Sequence, residues 1–264
     1  MIFVGKRAMH ILITNDDGIR APGLKALFHA LKKKHRVSVV APDRENSATS
    51  HRLTIHNPLR AFPFNEGDIH GLAVNGTPVD CIKLGISQLL SKKPDWVISG
   101  INPGANTGFN VFYSGTVAAA REAASMWIRS MAVSVAMGPS IDYDGVAEYV
   151  NDLIERFSRQ ILPAGTLMNV NFPACPVHES IGVKFVNQAI YHLYETYEKR
   201  KDPRQENYYW IGDEKFPVVL ECLTDFGAIE NNYIAISPLS IDTTDRTLLN
   251  HMKHWDWTLE NKIY

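Results

Sequence analysis

Two adjacent carboxylates, Asp16 and Asp17, follow the apolar run Ile11–Thr14 in the segment ILITNDDG. Neighbouring carboxylates repel when both are ionised. A hard divalent cation offsets that repulsion and accepts oxygen ligands from both without a His or Cys. The same pair would also serve as a turn with a helix cap, so on its own it leaves both readings open. The polar stretch APDRENSATSH, which leaves the run Val37–Ala41, can carry the Ser47 hydroxyl to the same cation, although Ser47, Thr49 and Ser50 are equally ordinary loop formers. In SGINPGANTG, Asn102 lies close to the run Trp96–Ser99 and is the better metal candidate. Asn106 lies deeper between glycines, where its amide would orient a phosphate or stabilise a turn. This glycine pattern is not a dinucleotide fingerprint. YSGTVAAA then takes Ser114, Gly115 and Thr116 into an Ala-rich helix whose unpaired N–H groups suit a phosphate, with a simple N-cap as the alternative.

These residues can act together only if the chain brings them to one place. The three apolar runs are rich in β-branched residues, as buried strands of a parallel sheet are, and helical patterns separate them. Pro22 opens a helix over Gly23–Lys33, a second helix is expected from Pro78 to Leu90, and a third follows Thr116. MAVSV reads as another core strand, and Val146–Leu162 as a further crossover helix. The expected fold is α/β, a Rossmann-like three-layer core with a mostly parallel sheet, plus a carboxyl-terminal β-hairpin subregion. Ligand sites in such sheets form at the carboxyl ends of the strands, where all four chemical segments would meet.

Between Leu53 and Asn75, the alternating stretches LTIHN, LRAFPF and IHGLAV predict antiparallel strands that wall the site, with a turn at Asn65–Asp68. From Gly182, aromatic and charged residues alternate, which predicts long strands joined by a polar loop, suited to an exchanged hairpin at a subunit interface. A last helix is expected over Thr247–Trp255. One domain spanning 1–264 is the simplest division, with a core at about 9–175 and the attached subregion at about 176–264.

With 264 residues, 45% of them hydrophobic, the chain can bury a substantial core, and its net charge of -1 offers no general attraction to duplex nucleic acid or an anionic membrane. Phosphate recognition must therefore be local. Cys81, Cys175 and Cys222 form no close pair and read as free thiols of a reducing compartment. The start MIFVGKRAMH has no secretory pattern and no later run approaches membrane-spanning length, so a cytoplasmic protein without membrane partners is expected.

The combination NDDG, APGL, APDRxxS, GTPxDCxxLG, SGINxG and YSGTVAAA resembles the survival protein E nucleotidase family, known as SurE, from about His10 to TDFGAIENNYIAISPLSIDTT. The resemblance implies Asp16, Asp17, Ser47 and Asn102 as ligands of one divalent metal ion per subunit, magnesium or manganese. Asn106, Ser114, Gly115 and Thr116 would then bind phosphate, with Asp16 and Asp17 also serving catalysis. It further implies hydrolysis of nucleoside 5'- and 3'-monophosphates, action on short polyphosphate, and a homodimer or homotetramer. The competing readings are a polyphosphate-preferring exophosphatase with a basic entrance at Arg44 or Arg52, a non-catalytic nucleotide-binding protein, and a signalling receiver. The receiver reading needs an acceptor carboxylate, for which only Asp43 stands near, because the third run ends in Ser-Gly-Ile-Asn.

Overall fold

The computed structural model describes residues 8–190, 196–212 and 223–255. The expected segments appear in order: β1 (His10–Thr14), α1 (Pro22–Leu31), β2 (Arg36–Pro42), the hairpin β3 (Ala61–Glu66) and β4 (Ile69–Val74), and α2 (Pro78–Leu84). Next come β5 (Trp96–Pro103), the single turn α3 (Asn110–Tyr113), α4 (Gly115–Ser125), β6 (Arg129–Val135), α5 (Tyr143–Ser158) and β7 (Thr166–Phe172). The remainder holds β8 (Gly182–Phe185), β9 (Tyr197–Lys201), β10 (Asn207–Ile211), α6 (Asp225–Glu230), β11 (Tyr233–Ser240) and α7 (Arg246–Met252).

Among the described residues, nine strands form one sheet in the order β3-β4-β2-β1-β5-β6-β7-β11-β8, and β9 and β10 form a separate antiparallel pair. The strands from β4 to β7 run parallel, β3 and β11 pair antiparallel to β4 and β7, and β8 runs parallel to β11. Alternation along β1 sorts the core into two layers. Ile11 and Ile13 pack with Leu24, Leu27, Val150 and Ile154 of α1 and α5, while Leu12 packs on the other face with Cys81, Ile82, Ala119 and Ala123 of α2 and α4. Both faces of the parallel strands are thus covered by helices, and each fully buried Leu or Ile contributes about 1.5–3 kcal/mol.

β1 lies between β2 and β5, so the chain turns one way after β1 and the other way into β5. The loops that leave these two strands part at this point and open a crevice.

Several expectations change. LTIHN is not a strand, because its backbone is tied to the start of α2, with the Thr54 N–H donating to Asp80 Oδ1 at 3.1 Å and the Thr77 hydroxyl donating to the Arg52 carbonyl at 2.7 Å. The β3–β4 hairpin widens the main sheet beside β2, and none of its residues lines the crevice. The second helix ends at Leu84 and continues as one wider turn over Gly85–Leu89. The fourth starts at Tyr143, where Asp142 caps the Gly145 N–H at 2.9 Å. The polar alternation after Gly182 divides: β8 joins the main sheet and only β9 and β10 make the hairpin. The last helix spans Arg246–Met252. β7 and β11, unassigned in the sequence reading, are buried strands of the main sheet. Cys81 and Cys175 are free. The expectations for the amino-terminal seven residues and for Cys222 fall outside the described residues; among the described residues no helix is long and apolar enough to cross a membrane.

Candidate active site

The acid pair sits on a turn braced by its own neighbours. Asn15, fully buried, donates from Nδ2 to the Gly18 carbonyl at 3.0 Å and accepts from the Gly18 N–H through Oδ1 at 3.2 Å. Gly18 adopts φ +99°, a conformation that a side chain disfavours. Asp16 is buried against the start of α4, where its Oδ1 accepts the Thr116 hydroxyl and the Thr116 backbone N–H adds a further hydrogen bond. Gly115 makes this approach feasible: a Cβ there would lie 2.8 Å from the Asp16 Cβ.

Burial raises the Asp16 carboxyl above its ordinary value. It also pushes Asp17 up to about 7, with the charges of Asp16 and then Glu45 adding to the effect. Asp17 Oδ2 is buried without a hydrogen-bond partner among the described residues.

The loop after β2 stands over this pair. The Asn46 N–H donates to the Asp16 carbonyl at 2.7 Å, and the Ser47 hydroxyl donates to Glu45 Oε1 at 2.6 Å, leaving the Ser47 oxygen lone pairs free to accept. Farther along, Ser50 fastens the loop to α3 through the carbonyls of Phe112 and Tyr113, at 2.6 and 2.9 Å. His51 does not enter the cavity. Its Nε2 lies 2.8 Å from Glu122 Oε2, and Lys83 donates to Glu122 Oε1 at 2.9 Å. The hydrogen bond from His51 holds the Glu122 carboxyl below its ordinary value against burial, with Lys83 adding to it.

At the end of β5 the register with β6 shifts between Ser99 and Asn102, an irregularity that redirects the side chains after it. The Asn102 nitrogen donates to the Gly104 carbonyl at 2.7 Å, so the amide oxygen is left to accept or coordinate. Asn106 is gripped from below. Its N–H donates to Asn171 Oδ1 at 2.8 Å, its side-chain nitrogen to Ser134 Oγ at 2.8 Å, and its carbonyl accepts from Asn169 and Asn171 at 2.8 and 3.3 Å. Ser114 caps α4 by accepting the Val117 N–H at 3.1 Å.

A cavity of about 270 Å³ joins Asp16, Ser47, Asn102, Asn106 and Ser114, with Tyr113 and Asn110 at its wall. Asp17, Gly115 and Thr116 are not among the residues that line it, and the Thr116 hydroxyl is committed to Asp16. Arg44 pairs with Asp43 at 3.1 Å, and neither Arg44 nor Arg52 lines the cavity.

A sequence model of the family described as "Survival protein SurE" matches residues 11–195. The chain belongs to the SurE family. A protein of Desulfatibacillum aliphaticivorans named 5'-nucleotidase SurE is 48% identical over 248 residues, covering 94% of this chain and 98% of that one. One of the same name from Carboxydothermus hydrogenoformans is 42% identical, over 97% of this chain and 99% of its own. The crystal structure of SurE protein from Aquifex aeolicus superposes with a TM-score of 0.82 at 37% identity, covering 92% of this chain and 98% of that chain.

Sequence reasoning missed the supports. Asn15 was visible as the first residue of NDDG, and Asn169 and Asn171 were visible as polar residues alternating through the otherwise apolar TLMNVNF.

Proposed function

We propose that this SurE-family chain is a divalent-metal-dependent phosphomonoesterase acting on nucleoside monophosphates. The observation that carries this reading is electrostatic. The cavity presents Asp16 and neutral polar groups, and among the described residues no Lys, Arg or His lines it. A phosphate dianion entering it is repelled by Asp16 and Asp17 once they are ionised, unless a cation lies between them.

The side chains present fit such a cation. Asp17 offers a buried oxygen without a partner among the described residues, Asn102 has its nitrogen committed elsewhere, and Ser47 retains acceptor capacity. Asp16, Asp17, Ser47 and Asn102 would hold one magnesium or manganese ion. Among the described residues no group of three or more His, Cys, Asp or Glu could hold a metal. Two carboxylates with neutral oxygens match the sparse protein ligation of magnesium, which keeps positions for water and phosphate. When bound, the ion would neutralise phosphoryl charge and lower the pKa of a water.

The chain's own groups do the rest. The first turn of α4 presents its positive end, and Asn106 and Ser114 hold the phosphoryl oxygens. Ser114 accepts from Val117, so its hydroxyl hydrogen is free to donate. Asp16 and Asp17 orient the attacking water for in-line displacement, without a covalent phosphoenzyme.

The relatives named 5'-nucleotidase SurE, alike over nearly their whole length, support a nucleoside monophosphate as substrate. Action on 3'-monophosphates and short polyphosphate belongs to the same reading. So does a homodimer or homotetramer, supported by the exposed Tyr197, Tyr209 and Trp210 of the β9–β10 hairpin, which a second copy would cover. The free thiols Cys81 and Cys175 support a reducing, cytoplasmic setting.

The test is phosphate release from a panel of 5'- and 3'-monophosphates and short polyphosphate, with magnesium, manganese or chelator. Release from monophosphates only with metal is expected. Equal release in chelator would sink the metal role, and no release under any condition would leave a nucleotide-binding protein.

A further inference from the structure

Asp225 opens α6 and is fully buried, and its carboxylate gathers N–H groups from three places. Oδ1 accepts from Ala189 at 2.9 Å and from Phe226 at 2.8 Å, while Oδ2 accepts from Gly108 at 3.0 Å. A buried carboxylate is tolerated when such hydrogen bonds replace its water. The two oxygens divide the work. Oδ1 ties α6 to the segment after β8, which Asn187 already joins by backbone hydrogen bonds to Leu223 and Asp225 at 3.1 and 2.9 Å. Anchoring that segment needs no second oxygen.

Oδ2 reaches the site loop. Gly108 lies two positions after Asn106 and two before Asn110, both on the cavity wall. Its carbonyl is also held, accepting from Gln188 Nε2 at 2.8 Å. Both polar groups of one loop peptide residue are therefore fixed by a region more than seventy residues away along the chain, at separations of 117 and 80.

We propose that Asp225 is a positioning residue for the phosphate end of the site, acting through Gly108 to set where Asn106 and Asn110 stand. The inference rests on the phosphatase reading above. It assigns no contact between Asp225 and substrate, and it separates the phosphate loop from the metal turn, which Asp225 does not touch.

The test uses the full chain carrying Asp225→Asn, which keeps the shape but cannot accept all three N–H groups, and Gln188→Ala, which frees the Gly108 carbonyl and leaves the carboxylate intact. Three quantities are measured: kcat/KM for a nucleoside 5'-monophosphate, the inhibition constant of inorganic phosphate, and the magnesium concentration for half-activation. For Asp225→Asn, phosphate inhibition is expected to weaken about 10- to 100-fold, with kcat/KM falling in step. The magnesium requirement should stay within about twofold, because the acid turn has its own brace. A general loss of structure would move all three together.

Unchanged phosphate inhibition in a folded Asp225→Asn overturns the proposal, and so does a parallel shift in the magnesium requirement. If that variant fails to melt cooperatively, Gln188→Ala decides: it should show the same selective shift, smaller in size, and unchanged phosphate inhibition overturns the idea. Wild-type protein inert toward the monophosphate would sink the proposed activity instead. Calorimetric titration of inorganic phosphate into wild type and variants would then test Asp225 alone.

Discussion

The acid turn after β1 and the asparagine loop after β5 feed the same cavity but differ in how far they depend on the rest of the chain. The turn that carries Asp16 and Asp17 is braced from within by Asn15 and Gly18, one or two residues away, and the Asp16 residue is tied further to Thr116 and Asn46. Asn106 and Gly108 are held by Ser134, Asn169, Asn171, Gln188 and Asp225, at sequence separations from 28 to 117. A turn with an internal brace keeps its backbone shape largely through its own residues. A remotely braced loop keeps its shape only while other elements stay seated.

The largest expected effect strikes the acid turn itself. Asp17→Asn should lower metal-dependent turnover by about 100- to 1,000-fold, the size seen when a group facing developing charge is removed. Near-normal turnover at saturating magnesium would end the ligand role.

The two braces can then be cut separately. Asn15→Ala and Asn171→Ala should each cost about 1–3 kcal/mol in chemical denaturation, because each leaves a buried backbone N–H, that of Gly18 or of Asn106, without its acceptor. Their kinetic signatures should differ by about tenfold in opposite columns. Asn15→Ala raises the magnesium needed for half-activation, and Asn171→Ala weakens inhibition by phosphate. Identical signatures would dissolve the distinction.

Gly115→Ala addresses the seam between the two regions. Alanine suits the first turn of a helix, but its Cβ would meet the Asp16 side chain at 2.8 Å. Activity should fall by about tenfold while the melting temperature changes little. A fully active variant would show that Asp16 need not sit so close.

The smallest effect is one of pH. Asp17 is held up to about 7 in the folded state, from an ordinary value of 3.8. Between those values the folded chain binds more protons than the unfolded one, so without metal its contribution to stability falls as pH rises through that window. A divalent cation requires the ionised form. The magnesium-induced gain in melting temperature should therefore grow from about pH 5 to about pH 8. A gain independent of pH would remove Asp17 from the site.

The same contrast explains what could be read in the sequence. The strands β1, β2 and β5 were legible because β-branched runs ended in polar loops, and Asp16, Ser47, Asn102, Asn106 and Ser114 were legible because each follows such an end or starts a helix. LTIHN misled because alternation does not reveal a backbone captured by the Asp80 carboxylate and the Thr77 hydroxyl. TLMNVNF was passed over because its two buried asparagines broke the apolar pattern, although those asparagines are its contribution to the site. Asp225 could not be assigned at all, since nothing near it in the chain says that Gly108 waits for its second oxygen.

The strand order also dictates a schedule. Among the described residues β8 has no partner on the main sheet except β11, and β11 must slot between β7 and β8, both made before it. As a ribosome releases the chain from its amino end, β1 to β7 can assemble early, while β8 waits for a strand more than forty residues further on. Asp225, just ahead of β11, arrives in that final step. A nascent chain halted after β7 would hold the acid turn in place with its asparagine loop only half secured, so catalytic competence should be acquired late in synthesis.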